Sequence, residues 1–248
     1  MLMHRAHDYP FLVQRWRTLA RAAGLRLLPF ANEGEFDLFY MQSPALQAKG
    51  GLYLSAGIHG DEAGSTEALI EWAEAHAAEL RNLPVIIFPC LNPWGLIHNM
   101  RHDRDGNDLN RSFHRDDLPA IHRWRELVRP YTFAISLMLH EDYDAQGLYL
   151  YEIKREQPYW GEELLEVARS VIPIEGRGRI DGRKSIRGVV RRRLELKRFT
   201  ELGYPEAIWL HLHGSRRTFT VETPSEFALE QRIAALRLVT EECVRRLR

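Results

Sequence analysis

The chain has 248 residues, 45% hydrophobic and 27% charged, the proportions of an ordinary globular protein and not of a disordered one. Lys plus Arg and Asp plus Glu each total 34, so the formal net charge is zero and a generally basic nucleic-acid binder is disfavoured. Two cysteines, Cys90 and Cys243, exclude a disulfide scaffold and a zinc site built from several thiolates, and no apolar run approaches the roughly 20 residues that cross a bilayer.

In chain order, Phe11 to Ala23 has helical spacing (Phe11, Val13, Trp16, Leu19, Ala20), with Gly24 as its stop. Leu25 to Met41 reads as one or two strands with a turn at Gly34. Gly51 to Ile58 is a short apolar run bounded by glycines, as expected of a buried strand. Ser65 to Leu80 is rich in alanine and glutamate and reads as a helix. Pro84 to Phe88 is the next buried strand. Ala120 to Val128 reads as a helix, Phe133 to Leu139 and Gly147 to Ile153 as strands, and Trp160 to Ser170 as a helix. Ala207 to Leu212 and Thr218 to Glu222 read as strands, and an amphipathic helix runs from Glu226 to Leu247. Alternation of this kind, without repeats or a linker, predicts an α/β fold. The expectation is a single three-layer α/β/α domain over residues 1–248, with a central mixed, largely parallel sheet.

In such folds ligands gather at the carboxyl ends of strands. The Gly51–Ile58 strand runs into His59-Gly60-Asp61-Glu62. A histidine and a carboxylate at that spacing can share one cation, since zinc accepts both ligand types. Taken alone, the pair reads first as a surface histidine before an acidic first helical turn. It is not the inverted zincin pattern, because Ala63 stands where that motif needs histidine. Three further strands deliver chemistry to the same end. Val85 to Phe88 leads to Asn92-Pro93-Trp94-Gly95 and then to Arg101 through Arg111. Phe133 to Leu139 ends in His140, and Thr218 to Val221 ends in Glu222.

This ordered set resembles the zinc carboxypeptidases of the carboxypeptidase A superfamily, which includes deacylases of the aspartoacylase and succinylglutamate desuccinylase type. The matching stretches are His59-Gly-Asp-Glu62, Asn92-Pro-Trp-Gly95, Arg101 with Gly106-Asn-Asp-Leu-Asn-Arg111, His140 and Glu222, spread over roughly residues 50 to 240. The resemblance implies one Zn²⁺ per chain, held by His59, Glu62 and His140, with the fourth position left to water. It implies Glu222 as general base toward a zinc-activated water, and Arg101 as the group that polarises the scissile carbonyl. It also implies Asn110 and Arg111 as the pair that holds a substrate carboxylate, which a guanidinium fork binds bidentately. The family peptidases cover the bound substrate with a mobile tyrosine, and Tyr204 is the only tyrosine between Tyr159 and Glu222.

Other residues carry weaker signals. His211 and His213 would share one face of a strand, and a structural role is expected of them. His98, His102 and His114 match no family position. Asp142 or Asp144 could orient a ligand histidine or remain solvated. The arginine-rich stretch Arg177 to Arg198, with Arg191-Arg192-Arg193, has no aromatic residue to stack on a base. It reads as a solvated loop or hairpin, or as a segment that attracts an acidic substrate. The N-terminus lacks the apolar core of a signal peptide, so a cytoplasmic address is expected, with no nucleic-acid or membrane partner. The oligomeric state is not legible. The expected function is a zinc metallocarboxypeptidase acting on a peptide or peptide-like substrate. The alternatives are a zinc deacylase of N-acyl amino acids and an inactive metal- or peptide-binding protein.

Overall fold

In the computed structural model, which describes residues 5–154, 157–191 and 203–247, the chain opens with helix α1 (Tyr9–Ala22). Asp8 caps it by accepting the Phe11 N–H at 2.9 Å, and Pro10 stands in the first turn, where its missing N–H costs nothing. A hairpin of β1 (Leu27–Glu33) and β2 (Phe36–Gln42) follows, turned at Gly34, whose φ of +60° suits glycine. The next elements are β3 (Leu52–Ser55), α2 (Ala63–Ala75), β4 (Val85–Phe88), α3 (Pro93–His98), a 3-10 turn at Leu109–Arg111 and α4 (Pro119–Val128). Then come β5 (Ile135–Asp142), β6 (Tyr149–Lys154), α5 (Gly161–Glu166), the two-residue strands β7 (Arg179–Ile180) and β8 (Arg183–Lys184), and β9 (Val189–Arg191). Helix α6 (Glu206–Leu212), β10 (Arg217–Pro224) and α7 (Leu229–Leu247) complete the described chain.

Strands β3 and β4 are buried at every position, so both of their faces need cover, and the sheet supplies it by placing them inside. The eight-stranded sheet has the order β1-β2-β4-β3-β5-β10-β6-β9. Its central pairs β4/β3, β3/β5 and β5/β10 are parallel, while β6 returns antiparallel against β10. One face packs on α1, α2 and α7 through Leu54, Ile87, Leu137 and Val221. The other packs on α4 and α6 through Tyr53, Phe88 and Met138. The expected three-layer mixed sheet is therefore what forms. Both cysteines are buried free thiols, and among the described residues no helix is long and apolar enough to cross a membrane.

The stretch Ala207 to Leu212, expected as a strand, is helix α6. Ala207, Ile208, Trp209 and Leu210 are all buried, and an unbroken apolar run has no period by which to tell strand from helix. His211 and His213 consequently do not share a face. His213 stacks on Trp209 at 3.7 Å instead.

Helix α6 also carries Glu206, 1% exposed, between Pro205 and Ala207, which line the cavity described below. The Tyr53 hydroxyl donates to its Oε1 and accepts from Trp124 Nε1 at 2.9 Å. Burial outweighs these bonds and raises the Glu206 carboxyl above its ordinary value of 4.5. Between that value and the raised one, the folded chain keeps a proton that the unfolded chain has lost, so stability falls as pH rises through the window. Glu206→Gln keeps an acceptor for Tyr53 and removes this loss. The Tm of the variant relative to the parent should rise as pH is raised above the ordinary carboxyl value of 4.5, read by a series of thermal melts.

Candidate functional site

The turn after β3 brings His59 and Glu62 onto the start of α2, with Gly60 packed so closely on the backbone of Gly95 in α3 that a Cβ there would collide with it. Glu62 is the N-cap of α2 but makes no capping bond with its side chain. Its carboxylate turns instead toward two imidazoles. Oε1 lies 2.5 Å from His59 Nδ1 and Oε2 lies 2.8 Å from Nδ1 of His140, which projects from β5. All three residues are at most 5% exposed. Among the described residues they are the one group of histidine, cysteine and carboxylate side chains arranged to hold a metal ion, with donor atoms within 4.8 Å of one another.

The donor set passes a test of fit. Glu62 Oε2 and His140 Nδ1 are buried and close, yet not aligned as a hydrogen bond. Two donors that share a cation rather than a proton are placed this way. Two neutral imidazoles and one carboxylate form a recognised zinc set with a position left open. The carboxylate and the imidazoles hold one another charged, so a metal bound here would displace protons. Burial alone would lower His59, but the Glu62 carboxylate and Asp108 outweigh it and raise it to about 8. Burial alone would raise Glu62, and the two imidazoles instead hold it far below the usual carboxylate range.

Around this triad lies a cavity of about 220 Å³. Glu222 of β10 lines it, directly across the parallel register from His140. Burial is the main reason that its carboxyl is pushed up to about 8, with Glu62 and Asp142 adding to the shift. Arg101 is clamped by Asp108, at 2.9 and 3.2 Å, so that its Nη1 stands 3.3 Å from His59 Nδ1. Asn92, fully buried at the cap of α3, donates to the Arg101 carbonyl at 3.2 Å and steadies the loop. Asn110 and Arg111 lie on the 3-10 turn and line the cavity. The Asn110 Oδ1 accepts the Glu206 N–H at 3.0 Å, which leaves its amide NH₂ as the group to donate. Arg111 forms no ion pair among the described residues.

Residues 48–130 match the family model of the succinylglutamate desuccinylase/aspartoacylase catalytic domain. No curated protein matches the sequence. Among solved structures, a candidate metallopeptidase from Shewanella amazonensis is similar over 98% of this chain and 94% of its own, with a TM-score of 0.86 at 20% identity. A metallo-carboxypeptidase from Burkholderia cenocepacia is similar over 93% of this chain and 68% of its own, with a TM-score of 0.66 at 14% identity. A metallo-carboxypeptidase from Pseudomonas aeruginosa, in complex with (2-guanidinoethylmercapto)succinic acid, is similar over 97% and 69%, with a TM-score of 0.62 at 17% identity.

The chain has the fold of the zinc carboxypeptidases, and residues 48–130 add the likeness to the deacylase branch. These likenesses, with the triad's geometry, support a hydrolase of the carboxypeptidase or deacylase type and a metal at His59, Glu62 and His140. Within the superfamily frame, seven of the eight residues singled out from the sequence converge. His59, Glu62, Arg101, Asn110, Arg111 and Glu222 line the cavity, and His140 contacts Glu62 beneath it. Tyr204 is not brought to it. It is half-buried, its ring lies 5.9 Å from that of His114, and its backbone pairs with Arg111 and Phe113. The tyrosines that do line the cavity are Tyr149 and Tyr151 of β6.

Several partners escaped the sequence reading. The acid beside a ligand histidine is Asp108, whose Oδ1 lies 3.4 Å from His59 Nε2. Asp142 instead accepts from Tyr149 at 2.9 Å, and Asp144 is exposed. The only sign of the tyrosines was the period-two alternation Tyr149, Tyr151, Ile153 on the strand that pairs with β10. Within the basic stretch, Arg177 pairs with Glu175, and Arg187 and Arg191 pair with Glu162. Arg192, Arg193 and the residues on to Arg198 lie outside the described residues. The cavity takes no arginine from the described part of that stretch. It takes Asp181, from the β7–β8 turn, which accepts from the Tyr151 hydroxyl.

Proposed function

We propose that the protein is a zinc metallocarboxypeptidase that removes the C-terminal residue of a peptide or peptide-like substrate, with residues 1–248 acting as one catalytic domain. The charge layout of the cavity carries this reading. Its lysine and arginine lining among the described residues is Arg101 and Arg111 alone, both from the loop after α3, while Asp142 and Asp181 are held by the tyrosines of β6. Such a cavity suits a substrate with one carboxylate and an uncharged or cationic remainder. A dicarboxylate would place its second charge beside an acid.

Arg111, with the Asn110 amide, would bind the terminal carboxylate. Arg101, fixed by Asp108, would donate to the oxygen that gains charge in the transition state. Glu222 would take a proton from the attacking water at its carboxylate and return it to the leaving nitrogen. A zinc ion on His59, Glu62 and His140 would supply Lewis acidity and a lowered pKa for water.

The match of residues 48–130 to the desuccinylase/aspartoacylase domain favours a second reading, a zinc-dependent deacylase of N-acyl amino acids. Mass spectrometry of products from a pool of short peptides and N-acyl amino acids separates the two, with Glu222→Gln as the blank. Release of single C-terminal residues by the zinc-loaded parent alone supports the carboxypeptidase, and cleavage confined to the N-acyl amino acids replaces it with the deacylase. Peptides ending in Arg or Lys should be cut faster than those ending in Asp or Glu. Asp181→Asn should shrink that preference about fivefold, the scale of one exposed charge pair. An unchanged ratio of kcat/KM values would remove Asp181 from substrate selection.

A further inference from the structure

We infer that Glu141 is a positioning residue for the metal centre and that Arg232 of α7 holds it in place; the inference rests on reading His59, Glu62 and His140 as metal ligands. Glu141 follows His140 on β5, and strand alternation sends its side chain to the opposite face. There it is 4% exposed. Its Oε2 accepts the N–H of Gly64 at 2.9 Å, in the first turn of α2, two residues beyond Glu62. The Thr223 hydroxyl, one residue beyond Glu222, reaches its Oε1 at 3.3 Å. Arg232 Nη1 lies 2.8 and 2.9 Å from the two oxygens. One buried carboxylate thus adjoins His140 in sequence and bonds to near neighbours of Glu62 and Glu222.

The start of α2 explains why a carboxylate is needed there. The first N–H groups of a helix lack intrahelical partners, and the N-cap side chain ordinarily serves one of them. Glu62 is the N-cap, but its carboxylate faces the two imidazoles. Glu141 supplies the missing acceptor from the strand that carries His140, and its negative charge suits the positive end of the helix. Ligands from two elements are tied by a bond that neither ligand makes. Gly64 belongs to the same device, because a Cβ at that position would collide with the Glu141 carboxylate. A buried ion pair is weak evidence of stability, since an apolar pair of similar volume often serves as well. What distinguishes Glu141 and Arg232 is the set of backbone and side-chain groups to which the carboxylate is bonded.

The test measures zinc Kd by competition with a chromophoric chelator, and Tm without metal, on the full chain. The proteins are the parent, Glu141→Gln, Gly64→Ala, the double variant Glu141→Leu with Arg232→Met, and His140→Ala as the control without a full ligand set. Glu141→Gln and Gly64→Ala are expected to bind zinc about 10–100-fold more weakly than the parent, the usual cost of losing a group that orients metal ligands. Gly64→Ala matters most, because it keeps every charge and adds a better helix former. The double variant should approach the parent's Tm while its zinc affinity stays low. Zinc affinity within about twofold of the parent in both single variants overturns the inference. So does a double variant whose zinc affinity returns to the parent's, which would make the pair a matter of stability alone. A parent that binds zinc no better than His140→Ala overturns the metal reading itself, and this inference with it.

Discussion

Replacing His140 with alanine is expected to abolish turnover and to erase the rise in Tm that zinc gives the parent. His140 supplies one of three donors, and Glu62, which lies between the two imidazoles, would keep His59 and, at 3.9 Å, Arg101. The loss in zinc affinity should exceed the roughly 10–100-fold that follows from disturbing a residue behind a ligand. A ligand that binds only the folded state, present at about a thousand times its Kd, adds about 4 kcal/mol of stability. For a chain of this size that corresponds to about 8–16 °C in Tm. Thermal melts of parent and variant, with zinc and with excess chelator, check this directly. The parent should show the shift and His140→Ala should not, while the two chelated melts differ far less. A full zinc-induced shift in the variant would mean that the ion binds elsewhere.

The parts of this site that were legible in the sequence share a physical reason. Strands β3, β4 and β5 are short apolar runs buried on both faces, and such runs end where the chain meets the ligand side of the sheet. His59, Glu62 and His140 sit at those ends, and Glu222 follows the run Thr218–Val221 of β10, so local pattern and site position coincide. Helix α6 was illegible because Ala207, Ile208, Trp209 and Leu210 are all buried, and tertiary cover on every side removes the period that would mark a helix. Tyr204 stood at a suitable place in the sequence, yet its backbone is engaged by Arg111 and Phe113 and its side chain does not reach the cavity lining. Asp181 enters through a hairpin turn whose two strands are two residues each, too short to leave a pattern. Glu141 has meaning only through partners 77 and 91 residues away, Gly64 and Arg232, and no local rule pairs them. The groups proposed to hold the metal and move the proton sit at strand ends and can be read along the chain. Groups that hold them in place are chosen by the packing of separate elements.

Glu222→Gln is expected to lower kcat and kcat/KM together by about 10²–10⁴, the contribution of a positioned general base. Glutamine has nearly the size and shape of glutamate, so the register of β10 against β5, which sets residue 222 across from His140, should survive. Zinc binding should survive as well, because Glu222 is not one of the three converging donors. KM should change little, since the proton moves only on the way to the transition state. This combination separates the catalytic role from the structural one that its position also allows, a carboxylate at a strand end close to the Glu141 anchor. A structural role predicts a fall in Tm and in zinc affinity, with the residual activity scaling with the folded, loaded fraction. A catalytic role predicts a variant that is folded, zinc-loaded, able to bind substrate and nearly inert. Steady-state kinetics on the substrate found by mass spectrometry, with zinc content measured on the same samples, decides between them. Turnover within about tenfold of the parent would mean that another group takes the proton. Asp142 would be the first to examine, because it is a carboxylate two residues beyond His140 on β5 and lines the same cavity.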